Sequence, residues 1–202
     1  MKKYVWSGGC LFLIILLVAS SVFALGERGK TVTYKFTHHT AAGELTTYAH
    51  YSIAAQESEG YWLQRITTMQ PDSDPLSITQ TLLNDYTHEA LRYIMHRPAK
   101  MDQPENVIDL PLSKMGQDEI LPTPETGAFI EEERLELAAG TFDAKKGGNG
   151  KATLWINLDI PVLGVVKAET EEWAMEFFQM SDHAEDLLPQ KPPKGGIVYL
   201  NK

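Results

Sequence analysis

Three sets of residues in this 202-residue sequence have types and spacings that invite a chemical reading: six histidines, a group of glutamates around one tryptophan, and a glycine-rich loop. The histidines stand at positions 38, 39, 50, 88, 96 and 183, with no His-Glu-x-x-His motif and no Cys/His cluster, so no transition-metal site is predicted. His38 and His39 point to opposite faces if they lie in a strand, and such a pair cannot chelate as neighbours. Glu169, Glu171, Glu172 and Glu176 recur around Trp173 and offer a carboxylate pair for acid/base work, or simply a solvated strand. Lys167 and Glu169, two apart on one strand face, suit a surface ion pair worth ~0 to 1 kcal/mol. Glu131, Glu132 and Glu133 read as a solvated strand entrance. Gly147-Gly148-Asn149-Gly150 lies between strands rather than before a helix, which removes the dipole that a phosphate loop uses. No Gly-x-Ser-x-Gly elbow and no dinucleotide fingerprint is present. The expectation is therefore a protein that is not an enzyme, with no catalytic residues, no metal and no cofactor.

The elements that would carry these residues are strands. From Glu132 to Met180 the hydrophobic period is two: Leu135 and Leu137 flank Glu136, and Leu154, Ile156, Leu158 and Ile160 alternate with Trp155, Asn157 and Asp159. This alternation predicts a sheet with one wet face. Gly147, Gly148 and Gly150 around Asn149 are expected to supply positive-φ positions for a hairpin, so the strand ending near Lys146 should return near Lys151. Pro161 should end the Trp155 strand, and Gly164 should permit the reversal before Val165 to Glu169. Earlier in the chain, Thr31 to His38, Leu45 to Ala55, Tyr61 to Met69, Leu76 to Leu83 and Leu91 to His96 read as strands of a meander, with a helical turn as the alternative for Asp85 to Leu91. The total is eight or nine strands, spaced as in a sandwich or barrel rather than in βαβ units.

The segments Ala139-Gly140-Thr141-Phe142, Leu154-Trp155-Ile156 and Ile160-Pro161-Val162-Leu163-Gly164-Val165-Val166-Lys167-Ala168-Glu169, followed by Trp173-Ala174-Met175-Glu176-Phe177, resemble a pattern in secreted bacterial proteins of the LolA/LolB-like lipoprotein-carrier superfamily, including its families without an assigned function. The resemblance covers the C-terminal half only. It implies a curved antiparallel half-barrel cupping an apolar cavity under a helical or looped lid, and it implies the periplasm of a Gram-negative bacterium. The carriers use that cavity for acyl chains.

Lys2 and Lys3 precede an apolar run from Leu11 to Val18, and Val22 and Ala24 occupy the two positions that a signal peptidase reads. Residues 1–24 are thus expected to be a secretory signal that carries the chain across the inner membrane. The apolar core is shorter than the ~20 residues of a spanning helix, so the mature form is not expected to span a membrane. Cys10 precedes the apolar run instead of following it, the reverse of a lipoprotein leader. Loss of the leader removes the only cysteine and leaves 16 basic residues against 27 acidic ones, a net charge of −11, which argues against a nucleic-acid partner. Residues 25–188 are expected to form one half-barrel domain, and residues 189–202 an extended C-terminal tail in which Ile197 to Leu200 adds a short edge strand or stays without structure.

Pro98 to Gly127 holds five of the eleven prolines, at 98, 104, 111, 122 and 124, a density that disfavours a central strand. Ile108, Leu112 and Met115 fall near helical spacing, which predicts a short helix over one sheet face, with a plain surface loop as the alternative. The fold class expected is mostly β (α+β): a curved antiparallel half-barrel with a short helical or loop lid. Aromatic and aliphatic walls with few polar anchors suit a lipid-chain pocket. The candidate ligand-binding residues are Trp62, Leu154, Trp155, Ile156, Leu158 and Trp173 on the sheet, with Ile108 and Leu112 from the lid. The function expected is an exported periplasmic binding protein for an apolar ligand such as a lipid or a lipoprotein acyl chain. The alternative is a cell-envelope structural or interaction module with a filled core and no ligand.

Overall fold

The fold is that of a computed structural model, which describes residues 28–87, 89–99, 104–110, 112, 129–148, 151–188 and 190–199. Twelve strands make one antiparallel sheet that does not close: β1 (Thr31–Thr40), β2 (Gly43–Gln56), β3 (Gly60–Thr68), β4 (Ser77–Asn84), β5 (Ala90–Arg97), β6 (Asn106–Leu110), β7 (Phe129–Leu137), β8 (Gly140–Gly148), β9 (Ala152–Ile156), β10 (Val165–Thr170), β11 (Trp173–Ser181) and β12 (Ile197–Tyr199). Their spatial order is β12-β6-β5-β4-β3-β2-β1-β11-β10-β9-β8-β7. Two meanders are thereby joined at their inner strands, where β1 pairs β11 from Thr31↔Ser181 to His38↔Trp173. The first walks from the middle of the sheet to one side, and the second returns from the opposite edge to the middle. The edge-strand reading of the tail agrees with the pairing of β12 on β6, Ile197↔Ile108 to Tyr199↔Asn106.

Several expectations need correction. The strands number twelve among the described residues rather than eight or nine, and no α-helix occurs among them. Ile108, expected on a lid helix, lies in β6, because the five residues between Pro104 and Leu110 are free of proline and keep every ladder donor. Leu112 follows that strand and Met115 lies outside the described residues, as do the leader and most of the stretch up to Gly127. Asp85 to Thr87 form a turn, not a helix, whose Tyr86 and Thr87 amides donate to Asn84 Oδ1. β9 stops at Ile156, well before Pro161. There Asn157 breaks the ladder: its Oδ1 accepts from Asp159 N at 2.8 Å and its Nδ2 donates to Asp143 O at 2.9 Å. Leu158 consequently sits in the turn, 54% exposed.

Gly164 does make the reversal expected of it, at a positive φ of +65°, and closes the turn by accepting from Asn157 N. Gly147 and Gly148 do not; both lie within β8. The requirement at Gly148 is close approach, since a Cβ there would lie 2.4 Å from Ala152 O. Val162, a buried β-branched residue at φ +69°, holds a conformation that costs about 1 to 3 kcal/mol and that its packing against the core must offset.

The wet face expected between Glu132 and Met180 carries Lys146, Lys167 and Glu176, whereas β3 and β4 in the first meander bury side chains on both faces. Register puts Val32, Tyr34, Phe36, Tyr51, Ile53 and Leu63 on the first face, in one large core with Leu154, Ile156, Val165, Ala168, Trp173 and Met175. On the second face Trp62, Ile78, Leu82, Ile94 and Val107 form a separate cluster, completed by Leu188 from the segment after β11.

Candidate functional site

The first face is most aromatic where β1 meets β11. Tyr34 and Phe177 are register partners with ring centroids 6.3 Å apart, and Tyr51 stands edge-on to Tyr34 at 5.8 Å. Phe142 on β8 then lies 5.4 Å from Phe177. Three strand spacings separate β8 from β11, ~14 Å in a flat sheet, so the β7–β8 hairpin must curl back over the face. Leu135, Leu137, Phe142 and Phe177 form a half-buried apolar rim continuous with the core. Phe142, Phe177 and Tyr34 were not among the residues singled out as ligand-binding. The alternation of Val32, Tyr34 and Phe36 was a signal for one of them, but nothing local indicated that β8 reaches β11.

Three tyrosines and His38 on this face are shifted toward their neutral forms, beside Arg65, which lies 5.9 Å from the Phe36 ring. The Tyr34 hydroxyl donates to Val165 O at 3.0 Å, and burial, with Tyr51 nearby, pushes its pKa well above the ordinary value. Burial likewise raises Tyr51, and raises Tyr61 to about 12, with Asp85 adding to the latter. His38 stacks on Phe36 at 6.1 Å, and its pKa is lowered by burial, then by Arg65 and His39. His39 pairs instead with Glu44 at 3.5 Å, so the two histidines diverge as strand geometry dictates.

Of the eight residues expected to bind ligand, the main core gathers four: Leu154, Trp155, Ile156 and Trp173 are 4–6% exposed, with Trp155 on the opposite side of β9 from Leu154 and Ile156, in register with Lys146 and Lys167. Trp155 donates Nε1–H to Glu133 Oε2 at 3.0 Å and has Lys146 Nζ at 5.4 Å and Lys167 Nζ at 5.1 Å from its ring, which closes it off behind ion pairs. Trp62 is fully buried in the separate cluster on the second face. Ile108 is buried on β6, Leu112 is half-buried beyond it, and Leu158 faces solvent.

The acidic group around Trp173 forms no acid/base pair. Glu169 lies 2.9 Å and Glu176 4.0 Å from Lys167 Nζ, while Glu171 and Glu172 are exposed in a turn. Among the described residues no three His, Cys, Asp or Glu side chains converge as metal ligands, and no helix is long and apolar enough to cross a membrane. What the first face can do chemically is exclude water and pack against apolar groups.

No family model matches this chain. Nor does any curated protein match it. Among solved structures it is similar to a Bacteroides fragilis protein with a YmcC-like fold, at a TM-score of 0.43 and 12% identity, over 79% of this chain and 98% of that one.

Proposed function

We propose that this chain is an exported binding protein of the cell envelope that takes up an apolar group, such as a lipid or lipoprotein acyl chain, on the first face of its sheet. The observation that carries the reading is the rim of Leu135, Leu137, Phe142 and Phe177, half-buried, contiguous with the core and set where the β7–β8 hairpin curls back. In this reading the curl is that of a half-barrel, the hairpin is one lip of its cup, and an acyl chain enters between that lip and β11. The likeness of the C-terminal segments to the LolA/LolB-like carriers supports it, as does the leader-like N-terminus, which points to the periplasm. The role is binding, not catalysis.

The test uses protein stripped of copurified lipid and a fluorescent fatty acid. Phe142→Asp leaves its carboxylate at a half-exposed position, so the fold survives. Loss of the ring's apolar burial, about 1.5 to 3 kcal/mol, should weaken the probe by roughly ten- to a hundredfold. A second reading, an envelope interaction module with a filled core, is favoured by the near-complete burial of Leu154, Trp155, Ile156 and Trp173. Absence of any probe binding to stripped wild-type protein would leave that second reading standing.

A further inference from the structure

The second face presents a different kind of surface. One cross-strand row reads Thr31, Ser52, Gln64, Gln80, Ile94 and Asp109 on β1 to β6, each in register with the next. The segment after β11 runs along this row. Thr31 Oγ1 donates to His183 O at 2.6 Å, Gln64 Nε2 to Glu185 O at 2.8 Å, and Gln80 Nε2 to Asp186 Oδ1 at 2.7 Å. Arg92, itself 2.5 Å from Asp109 Oδ2, donates to Pro192 O, and Asp109 N donates to Gly196 O at 3.0 Å, just before β12.

Gln64 is the informative group, because its Oε1 also accepts from Leu187 N at 3.0 Å. A single buried amide therefore reads the carbonyl of one residue and the N–H of the residue two further on, and it is oriented for this by Gln80 Nε2 on its Oε1 at 2.9 Å. Such a clamp recognises an extended main chain whichever molecule supplies it. Beside it lies the carboxylate donor Gln80, and beneath are Trp62, Ile78, Leu82, Ile94 and Val107, which receive Leu188. Main-chain clamp, carboxylate donor and apolar floor are the parts of a site for an extended peptide.

We propose that the second face is a peptide-binding groove, filled in cis by residues 185–188 and 190–192, which takes in trans an extended polypeptide segment carrying a carboxylate followed by two leucine-like side chains. The tether gives the cis segment an effective concentration of ~mM. A free segment competes only weakly until the cis segment is loosened. This proposal concerns the opposite face from the apolar rim and does not depend on that reading.

A fluorescently labelled synthetic peptide of residues 183–196 tests it, by anisotropy, against the full-length chain and against the full-length Asp186→Ala/Leu188→Ala variant. The variant's own strap fits poorly, so it should bind the peptide at least about tenfold more tightly than wild type does. Adding Gln64→Ala should abolish that binding. A folded double variant that binds the peptide no better than wild type overturns the proposal. Should the double variant not fold, amide exchange on the wild-type chain decides instead: Leu187 and Leu188 amides that exchange faster than those of β3 and β4 support a strap that lifts while the sheet stays intact. Equal rates for strap and strands would overturn it.

Discussion

The two faces of this sheet bury their side chains by different physics. On the first face Val32, Tyr34, Phe36, Met175 and Val165 exclude water through non-directional apolar packing, and the Tyr34 hydroxyl donates to the Val165 carbonyl within the sheet. On the second face Gln64 and Gln80 are 1% and 0% exposed, and the segment that lies over them pairs both polar atoms of the Gln64 amide and the amide nitrogen of Gln80. A packing defect on the first face leaves a cavity, whereas loss of the strap leaves buried donors and acceptors without partners, at ~1 to 3 kcal/mol each. The strap therefore stabilises the second face as much by satisfying polar groups as by covering apolar ones.

The largest expected effect belongs to the first face. Ile156→Asp puts a carboxylate at a position 4% exposed in the main core, and an unpaired charge there costs several kcal/mol against a total stability of ~5 to 15. The variant should lose its cooperative thermal transition by circular dichroism. If it instead melts cooperatively and merely loses the fatty-acid probe, water reaches that position and the first face is an open cup. Next comes the strap: Leu188→Ala removes the side chain that completes the second cluster and should cost about 2 to 5 kcal/mol by urea denaturation. A midpoint equal to wild type would show that the strap contributes little, and the contrast between the faces would then lapse.

Much of the fold was legible because period-two alternation and turn residues are local signals. Thr31 to His38 reappears as β1, the Lys146/Lys151 hairpin as β8 and β9, and the Gly164 reversal with its positive φ. The candidate site was less so. Leu154, Trp155, Ile156 and Trp173 come together because only β10 separates β9 from β11, but alternation does not report how far a sheet curls, and the Phe142–Phe177 contact across β9 and β10 was invisible in it. Trp62 was expected to line the ligand pocket, yet it is buried in the separate cluster, because what covers it is a proline-flanked segment more than a hundred residues later, with Lys191 Nζ 5.3 Å from its ring. Proline density concealed β6 as well, since a five-residue strand fits between two prolines.

Acidification distinguishes the faces more finely. His50 lies on the second face between Thr33 Oγ1 at 2.9 Å and Thr68 Oγ1 at 3.2 Å, and burial lowers its pKa although Asp72 works in the opposite direction. A histidine whose folded pKa is depressed leaves the unfolded chain to bind the proton first. Its contribution to stability is complete above the ordinary value, about 6.5, and is lost as pH falls below it. Asp186 behaves likewise in a lower window. Burial works to raise its pKa, but hydrogen bonds from Gln80, Lys191 and Leu188 N outweigh that and hold it below the ordinary carboxylate value, so its contribution fades only below about pH 4. Melting temperature should thus fall from pH 7 to 5, less steeply in His50→Gln, whose amide can still bridge the two threonines. An unchanged slope in that variant would assign the dependence to another group, with His38 on the first face the next to test.

The smallest effect is expected at Leu158, and its size sharpens the boundary of the first face. The side chain was expected on a strand beside Leu154 and Ile156, yet it stands in the Asn157–Gly164 turn, where an exposed leucine contributes little burial. The turn is held without it, by Asn157 through both its side chain and its amide, so Leu158→Ser should change stability by no more than about 0.5 kcal/mol. For a chain of this size that is a shift of roughly 2 °C or less. Because stability is indifferent, the same variant isolates binding: the fatty-acid probe should be held as by wild type if the rim formed by Leu135, Leu137, Phe142 and Phe177 is the whole of the entry. A severalfold weaker probe at an unchanged melting temperature would extend that rim to the β9–β10 turn, and would give an exposed leucine a role that packing alone does not.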